Sequence, residues 1–335
     1  MRLFSGFKGS TVGLALTALL SLATMPATVA AAEELRFLVF GDSPYTAEQN
    51  EILKRTVAPA IRAAGYSFLI HLGDIKASGE PCTDQLIGDR YRQLMGLLED
   101  RVFYTPGDND WTDCDRPKND PRFPEVERLD FLRGLIEANP LKLSSDWRYA
   151  TQKGFPENAR WTRGEVMFAT IHIVGTNNGR EQILRDDIES TLDLVGARDA
   201  ANSAWLGAAF DAADKAGSGA VVIAIQADVT EGVGRPPCGA SVRIQCDAFA
   251  VFRDELLRHA ASFRKPVMLI HGDTSPFCLD KKFGGSTAPA LWRLNALGDY
   301  SEVDATAISV RLGDSDEPFG IAPMMTGGSV ARKCS

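Results

Sequence analysis

Three short apolar runs in the first third of the chain each end in a glycine followed by an aspartate. The pairs are Gly41-Asp42, Gly73-Asp74 and Gly107-Asp108. Successive aspartates are 32 and 34 residues apart in the chain. This spacing is the length of a strand–helix–strand unit. Because parallel strands end at the same edge of a sheet, this spacing predicts that the three carboxylates converge on one site.

Strand and helix patterns alternate along the rest of the 335 residues. Apolar runs predict strands at 35–40, 68–72, 102–105, 166–174, 220–226, 266–271 and 307–312. Between the second and third runs, Ile87, Tyr91, Leu94 and Leu98 recur at helical spacing. This order predicts an α/β layered fold with parallel strands. No repeat or linker divides residues 33–335, so we expect one large domain.

The first 32 residues have the pattern of a secretory signal peptide. Arg2 and Lys8 precede an uncharged apolar stretch at 12–23, and small residues follow Pro26. The apolar stretch is short for a membrane span, and an uncleaved N-terminal helix is the alternative. We expect cleavage after Ala32 and an exported protein, periplasmic or extracellular, without a stable membrane anchor.

All six cysteines lie in the part of the chain predicted to be exported. They are Cys82, Cys114, Cys238, Cys246, Cys278 and Cys334. Export to an oxidising compartment favours disulfides, but six cysteines allow fifteen pairings that sequence cannot distinguish. Loop position suggests Cys82–Cys114 and Cys238–Cys246, which leaves Cys278–Cys334. A zinc cluster is the rival interpretation, and the chain has no C-x-x-C pair to support it.

The charge balance limits the class of partner. The chain has 36 basic and 44 acidic residues, a formal net charge of −8. We expect no nucleic-acid surface, because phosphate contacts need an excess of Lys and Arg. A small phosphorylated substrate is compatible with this charge, because a metal ion can supply the positive charge. The sequence does not indicate an oligomeric state.

The strand-end motifs resemble those of the calcineurin-like metallophosphoesterase superfamily. That family has D-x-H, G-D, G-N-H-D or G-N-H-E, a distant His, and G-H-x-H at successive strand ends. The corresponding segments are GDSP at 41–44, GDIK at 73–76, GDND at 107–110, the region near Gln226, and HGDTS at 271–275. The resemblance implies a four-layer αββα sandwich, a two-metal centre and hydrolysis of a phosphoester.

Most of the family's imidazoles are replaced here. Pro44, Asn109 and Ser275 stand where the family has histidine, whereas the carboxylates are kept or increased. The resemblance implies the metal ligands Asp42, Asp74, Asp108 and Asp273. Such an oxygen-rich site favours one or two ions of Mg²⁺, Mn²⁺ or Ca²⁺ over Zn²⁺.

The remaining site predictions concern catalysis and substrate binding. We expect Asn109 to hydrogen-bond a phosphoryl oxygen without donating a proton, and His271 to act as a further ligand or orienting group. Tyr45, Asp110 and Trp111 follow two of the motifs and are predicted to contact the substrate. Asp110 is also a candidate extra ligand, and simple packing is the alternative for Tyr45 and Trp111.

Two other functions are compatible with the sequence. Gly41-Asp42-Ser43 also resembles the first block of GDSL-type hydrolases, and Gly107–Asp110 fits their G-x-N-D block. Ser43 would then be a serine-esterase nucleophile and Asn109 an oxyanion donor. However, none of the four histidines has the aspartate three residues earlier that this family's D-x-x-H pair requires. The second alternative is an inactive exported binding or scaffold protein of the phosphoesterase fold.

Overall fold

The three strands that precede the Gly-Asp pairs lie parallel in one sheet of the computed structural model. They are β1 (Leu35–Phe40), β2 (Leu69–His71) and β3 (Val102–Tyr104). Two antiparallel strands, β11 (Thr306–Val310) and β12 (Phe319–Pro323), extend the sheet on the other side of β1. The order within the described residues is β12-β11-β1-β2-β3.

The structure describes residues 34–298, 302–314, 316–327 and 332–334, and a few positions before residue 11. The chain divides into two compact units, Met1–Glu33 and Glu34–Ser335, and every helix and strand of the described residues belongs to the second. The predicted signal peptide at 1–32 lies almost wholly outside the described residues, so this domain boundary stays a prediction.

The second sheet contains eight of the described strands. They are β4 (Ala150–Gln152), β5 (Phe155–Arg163), β6 (Val166–Thr170), β7 (Ala220–Ala224), β8 (Val267–His271), β9 (Cys278–Asp280), β10 (Leu291–Asn295) and β13 (Arg332–Lys333). Their order is β13-β9-β10-β8-β7-β6-β5-β4. The central strands β6, β7, β8 and β10 are parallel, so their carboxyl ends share one edge.

The helices lie between these strands in the chain. They are α1 (Ala47–Ile52), α2 (Ala58–Ala63), α3 (Asp84–Met95), α4 (Glu125–Ala138), α5 (Gly175–Gly179), α6 (Ile188–Ala216) and α7 (Ala250–Phe263). A π-helical turn, Leu53–Val57, joins α1 to α2. Within the described residues, no helix combines the length and hydropathy that a membrane span requires.

The inner layer of the fold is an aromatic core between the two sheets. Phe37, Phe68 and Phe103 from the first sheet pack against Trp161 and Phe168 from the second. The Phe103 and Trp161 rings stack with centroids 3.5 Å apart and planes 5° from parallel. This contact joins the edge strand of the first sheet to β5 and fixes how the sheets face each other.

Helices cover the outer face of each sheet. Leu38 and Phe40 of β1 point away from the aromatic core and pack with residues of α3 and α4, such as Tyr91 and Leu132. On the other side, α6 and α7 cover β6, β7 and β8 in a separate apolar cluster. Both faces of the central strands are therefore buried, which explains their continuous apolar sequence. The arrangement is the predicted α/β four-layer αββα sandwich.

The three predicted disulfides are confirmed. Cys82 bonds to Cys114, Cys238 to Cys246 and Cys278 to Cys334. The first joins the start of α3 to the loop after β3, so it anchors the segment that carries Asp108.

The aromatic core leads to a stability prediction. Replacing Phe103 by Ala removes a buried ring that stacks on Trp161, and we expect a loss of about 3–5 kcal/mol in the free energy of unfolding. The matched control is Val233→Ala, because Val233 is 66% exposed and should change stability by less than about 0.5 kcal/mol. Urea unfolding followed by tryptophan fluorescence measures both; equal effects would contradict the assigned core.

Candidate metal centre

Carboxylates from both sheets meet at the carboxyl ends of the parallel strands. Asp74 and Asp108 follow β2 and β3, and Asp273 follows β8 of the second sheet. One carboxylate oxygen from each lies within 4.8 Å of the other two. We call these three residues the carboxylate cluster. The predicted convergence thus extends from one sheet to both.

Asp42 stands beside the carboxylate cluster. Its Oδ1 accepts a hydrogen bond of 3.0 Å from the backbone N–H of Asp273. A Cβ added at Gly272 would lie 2.0 Å from Asp42 Oδ2, so only glycine allows this approach. The four predicted ligands are therefore neighbours, and the role of each as a ligand stays a prediction.

Burial and mutual repulsion act on these carboxylates together. Burial, and then the charges of Asp108 and Asp42, raise the pKa of Asp74 well above its usual range. The same causes, in the same order, raise the pKa of Asp273. Each proton added to the cluster relieves part of this repulsion, and so would a bound cation.

A side-chain amide and a hydroxyl reach the cluster from the second sheet. Gln226 Nε2 donates to Asp108 Oδ1 at 3.1 Å and to Asp74 Oδ2 at 3.4 Å, and its Oε1 accepts the Gly175 N–H at 2.7 Å. Thr176 Oγ1 donates to Asp108 Oδ2 at 2.9 Å. These donors hold the carboxylates of Asp74 and Asp108 in place.

Asn109 and Tyr45 also bind the cluster. Asn109 donates to both oxygens of Asp74, from its backbone N–H at 3.0 Å and from Nδ2 at 2.9 Å. The Tyr45 hydroxyl donates to Asp74 Oδ2 at 3.0 Å. Burial and the charge of Asp74 raise the pKa of Tyr45, so its hydroxyl keeps its proton. Both residues lie at the site, and their contacts with a substrate stay a prediction.

Asp110 and Trp111 make other contacts. Asp110 accepts hydrogen bonds from the backbone N–H groups of Asp74, Ile75 and Gly107 and from the Tyr104 hydroxyl, at 2.8–3.0 Å. Trp111 is buried against the His172 ring. Asp110 therefore joins the two loops that carry Asp74 and Asp108, and Trp111 packs beneath them.

His271 is the last residue of β8, and its ring contacts residues outside the carboxylate cluster. Its Nδ1 lies 2.9 Å from the Gly272 carbonyl oxygen, and its Nε2 lies 3.5 Å from Arg293 Nη1. Burial lowers the pKa of His271 to about 4, so the ring is neutral near pH 7. Neither of these hydrogen bonds joins the His271 ring to the carboxylate cluster. The catalytic role of His271 stays a prediction.

The sequence indicates a turn at Asn177-Asn178-Gly179, but it did not predict that this turn carries Thr176 to the carboxylate cluster. In α5 the residues Thr176, Asn177 and Asn178 have φ values of 55°, 51° and 56°, so the turn is left-handed. Asparagine tolerates this conformation better than other non-glycine residues. The signal was the Asn177-Asn178-Gly179 sequence, which indicates a turn but not what the turn contacts. At Gly175 an added Cβ would lie 2.6 Å from Asp108 Oδ2 and 2.7 Å from Asp273 Oδ2.

The donor set fits a divalent cation that prefers oxygen. Three carboxylates offer oxygens within 4.8 Å of one another, and burial and the neighbouring charges raise the pKa values of two of them, Asp74 and Asp273. Mg²⁺, Mn²⁺ and Ca²⁺ bind such ligands in proteins. A metal ion therefore fits these residues, and the identity of the ion is a separate question.

Comparison with known proteins gives limited similarity. No family model matches the chain, and no curated protein matches it. A structure titled "Structure of PhoD" aligns with a TM-score of 0.47 and 12% identity, over 92% of this chain and 75% of that one. A structure titled "GAP50 the anchor in the inner membrane complex of Plasmodium" aligns with a TM-score of 0.43 and 12% identity, over 88% and 86%. Both TM-scores are below 0.5, so the fold is assigned from the two sheets of this chain and not from these alignments.

Repulsion in the cluster predicts that a neutral replacement stabilises the metal-free protein. Asp273→Asn removes one charge, and because the folded-state pKa of Asp273 is raised, its ionisation weakens folding as the pH rises above about 4. We expect the variant to be more stable than the unmutated protein near pH 7 and equally stable at and below about pH 4. Chemical denaturation in the presence of a chelator measures this difference.

Glu157→Gln is the matched contrast. Burial alone would raise the pKa of Glu157, but the His172 hydrogen bond and Arg133 lower it to about 2. Removing that charge should cost about 3 kcal/mol near pH 7, because it leaves buried partners uncompensated. Destabilisation of both variants to the same extent would mean that the cluster is not under repulsion.

Proposed function

We propose that this protein is a divalent-metal-dependent hydrolase of a small phosphorylated substrate, a phosphoester. The observation that carries the proposal is the group of three carboxylate oxygens within 4.8 Å at the strand ends of both sheets. Mutually repelling carboxylates at such a site are costly unless something binds them.

Asp74, Asp108 and Asp273 would hold the cation, with Asp42 beside them. When bound, a divalent cation supplies positive charge for an anionic substrate and acidifies water for attack on phosphorus. The chain's own residues then set the geometry. Asn109 and Gln226 orient the carboxylates of Asp74 and Asp108 through their amide donors.

The residues at the site also limit the leaving group. Asn109 replaces the histidine that the resemblance places here, and an amide cannot donate a proton at neutral pH. Tyr45 is hydrogen-bonded to Asp74 and has a raised pKa, so it is a poor acid. We therefore infer a preference for substrates whose leaving alcohol is acidic, such as phenols.

The three disulfides support an exported protein, because such bonds persist in oxidising compartments. Together with the basic and apolar N-terminal pattern, they support a periplasmic or extracellular location. A net charge of −8 supports a small-molecule substrate over a nucleic acid.

Metal binding is the first test of the proposed function. We expect the protein from residue 33 onward to retain one or two equivalents of Mn²⁺, Mg²⁺ or Ca²⁺ after equilibration, measured by elemental analysis. Asp74→Asn/Asp108→Asn should lose the metal and at least about 100-fold of any hydrolysis of 4-nitrophenyl phosphate or its diester. The control is Asp247→Asn, whose carboxylate is buried but paired with Arg253 outside the cluster. Equal metal content in all three proteins would contradict the proposal.

The serine-esterase alternative has its own test. Ser43 is 2% exposed, and within the described residues its hydroxyl has no hydrogen-bond partner to activate it. The nearby His71 is neutral, because burial lowers its pKa to about 3, and its Nδ1 accepts the Gly73 N–H. We expect no labelling by a fluorophosphonate and unchanged hydrolysis in Ser43→Ala. Labelling that disappears in this variant would support the serine mechanism instead.

A further inference from the structure

Arg116 is a cationic side chain that reaches the edge of the carboxylate cluster. Its Nη2 donates to Thr176 Oγ1 at 3.5 Å, and Thr176 Oγ1 donates to Asp108 Oδ2 at 2.9 Å. Because the two hydrogen bonds share one atom, Arg116 Nη2 lies no further from Asp108 Oδ2 than the sum of these two lengths. A single hydroxyl group therefore separates this guanidinium from a predicted metal ligand.

Most of the donors of this guanidinium are unused. An arginine side chain has five N–H groups. Arg116 Nη1 pairs with Asp113 Oδ2 at 2.5 Å, and Nη2 makes the long contact with Thr176. Within the described residues, Arg116 Nε is buried without a hydrogen-bond partner, and 20% of the side chain is exposed. Arg116 therefore has N–H groups left for a ligand that offers several acceptor oxygens.

The loop that carries Arg116 is held at two points. Cys114 is bonded to Cys82, and Asp115 Oδ2 accepts hydrogen bonds from the backbone N–H groups of residues 184 and 185, at 2.6 and 3.0 Å. A ligand that binds Arg116 does not have to order this loop, so the entropy cost of binding is reduced.

The separation of Arg116 from Asp108 suits one phosphoryl group. A guanidinium N–H donates to a phosphate oxygen at about 2.8 Å, and a cation such as Mg²⁺ binds an oxygen at about 2.1 Å. A phosphoryl group placed between the two adds the distance between two of its own oxygens. One phosphoryl group can therefore reach from a cation held by Asp108 to the Arg116 guanidinium.

We propose that Arg116 binds the phosphoryl group of the substrate, and that the site takes phosphomonoesters in preference to phosphodiesters. This inference rests on the proposed function, because the phosphoryl group also needs the cation-loaded cluster. A guanidinium presents two parallel N–H groups to two oxygens of one phosphate. A monoester has three terminal oxygens and can give two to Arg116 and one to the cation. A diester has two terminal oxygens and loses one of these contacts.

Phenylphosphonate and its monomethyl ester test this inference without turnover. The first has the three terminal oxygens of a monoester, and the second has the two of a diester. Their binding to the Mn²⁺-loaded protein is measured by titration calorimetry. We expect Arg116→Gln to weaken phenylphosphonate binding at least about tenfold, because hydrogen bonds to a charged group are lost. The ratio of the two affinities should fall at least about threefold.

Two further variants separate geometry from charge. Arg116→Lys keeps the charge without the planar pair of donors, so it should restore part of the affinity but not the preference for phenylphosphonate. Arg122→Gln is the matched control, since Arg122 lies on the same loop and donates to the Asp115 carbonyl oxygen at 2.5 Å. This control should change both affinities by less than about twofold.

The ion pair with Asp113 requires its own control. Arg116→Gln leaves the buried Asp113 carboxylate without this partner, which can disturb folding. Asp113→Asn retains Arg116 and should bind phenylphosphonate at least as tightly as the unmutated protein. Arg116→Gln/Asp113→Asn removes both charges and should again lose at least about tenfold relative to Asp113→Asn. Its Mn²⁺ content, measured by elemental analysis, should not fall.

The outcomes distinguish this inference from the proposed function. If the double variant keeps the phenylphosphonate affinity of Asp113→Asn while Mn²⁺-dependent hydrolysis persists, Arg116 does not bind the phosphoryl group and the hydrolase stands. Equal weakening by Arg122→Gln and Arg116→Gln would mean that net charge alone acts, and would also overturn the inference. If the protein binds neither Mn²⁺ nor phenylphosphonate and hydrolyses no phosphoester, both proposals fail.

Discussion

Electrostatic repulsion among Asp74, Asp108 and Asp273 opposes the packing that brings the strand ends of the two sheets together. Three carboxylates at such a site lose hydration and repel one another, and the raised pKa values of Asp74 and Asp273 record both costs. Left-handed backbone at Asp42, Asp74 and Asp273, with φ of 49°, 57° and 68°, adds local strain of about 1–3 kcal/mol each. A well-packed framework offsets these costs and holds the three groups together.

The two sheets and the loop contacts supply that framework. The aromatic core packs one sheet against the other and so opposes separation of the strand ends that carry Asp74 and Asp273. Asp110 then joins the two aspartate loops of the first sheet through backbone N–H groups, and the Cys82–Cys114 disulfide holds the segment that follows. Gln226 bridges to Asp108 from the second sheet. A cation bound at the cluster would gain affinity from this rigidity, because its ligands are already in place.

Local sequence patterns predicted much of the fold and of the site. They did not predict the contacts between residues far apart in the chain. The Gly-Asp spacing predicted the convergence of Asp42, Asp74 and Asp108, because parallel strand order leaves few alternatives. The contacts of Thr176 could not be predicted, since a turn sequence gives the backbone shape but not the partner 68 residues away. His271 and Asp110 were assigned to the site from their positions at strand ends. Their actual partners, Arg293 and the loop amides, depend on side-chain direction, which a strand-end motif does not specify.

A cation site made of carboxylates responds to pH differently from one made of imidazoles. His71 and His271 are buried, with pKa values lowered to about 3 and about 4, so neither changes charge between pH 5 and 8. Burial and neighbouring charges raise the pKa values of the Asp74 and Asp273 carboxylates well above their usual range. Protons and a divalent cation then compete for the same oxygens, and cation affinity rises with pH until these carboxylates are ionised. In a site built on histidine ligands the competing protons bind imidazole nitrogens instead, so an oxygen-rich site would bind a cation over a different pH range.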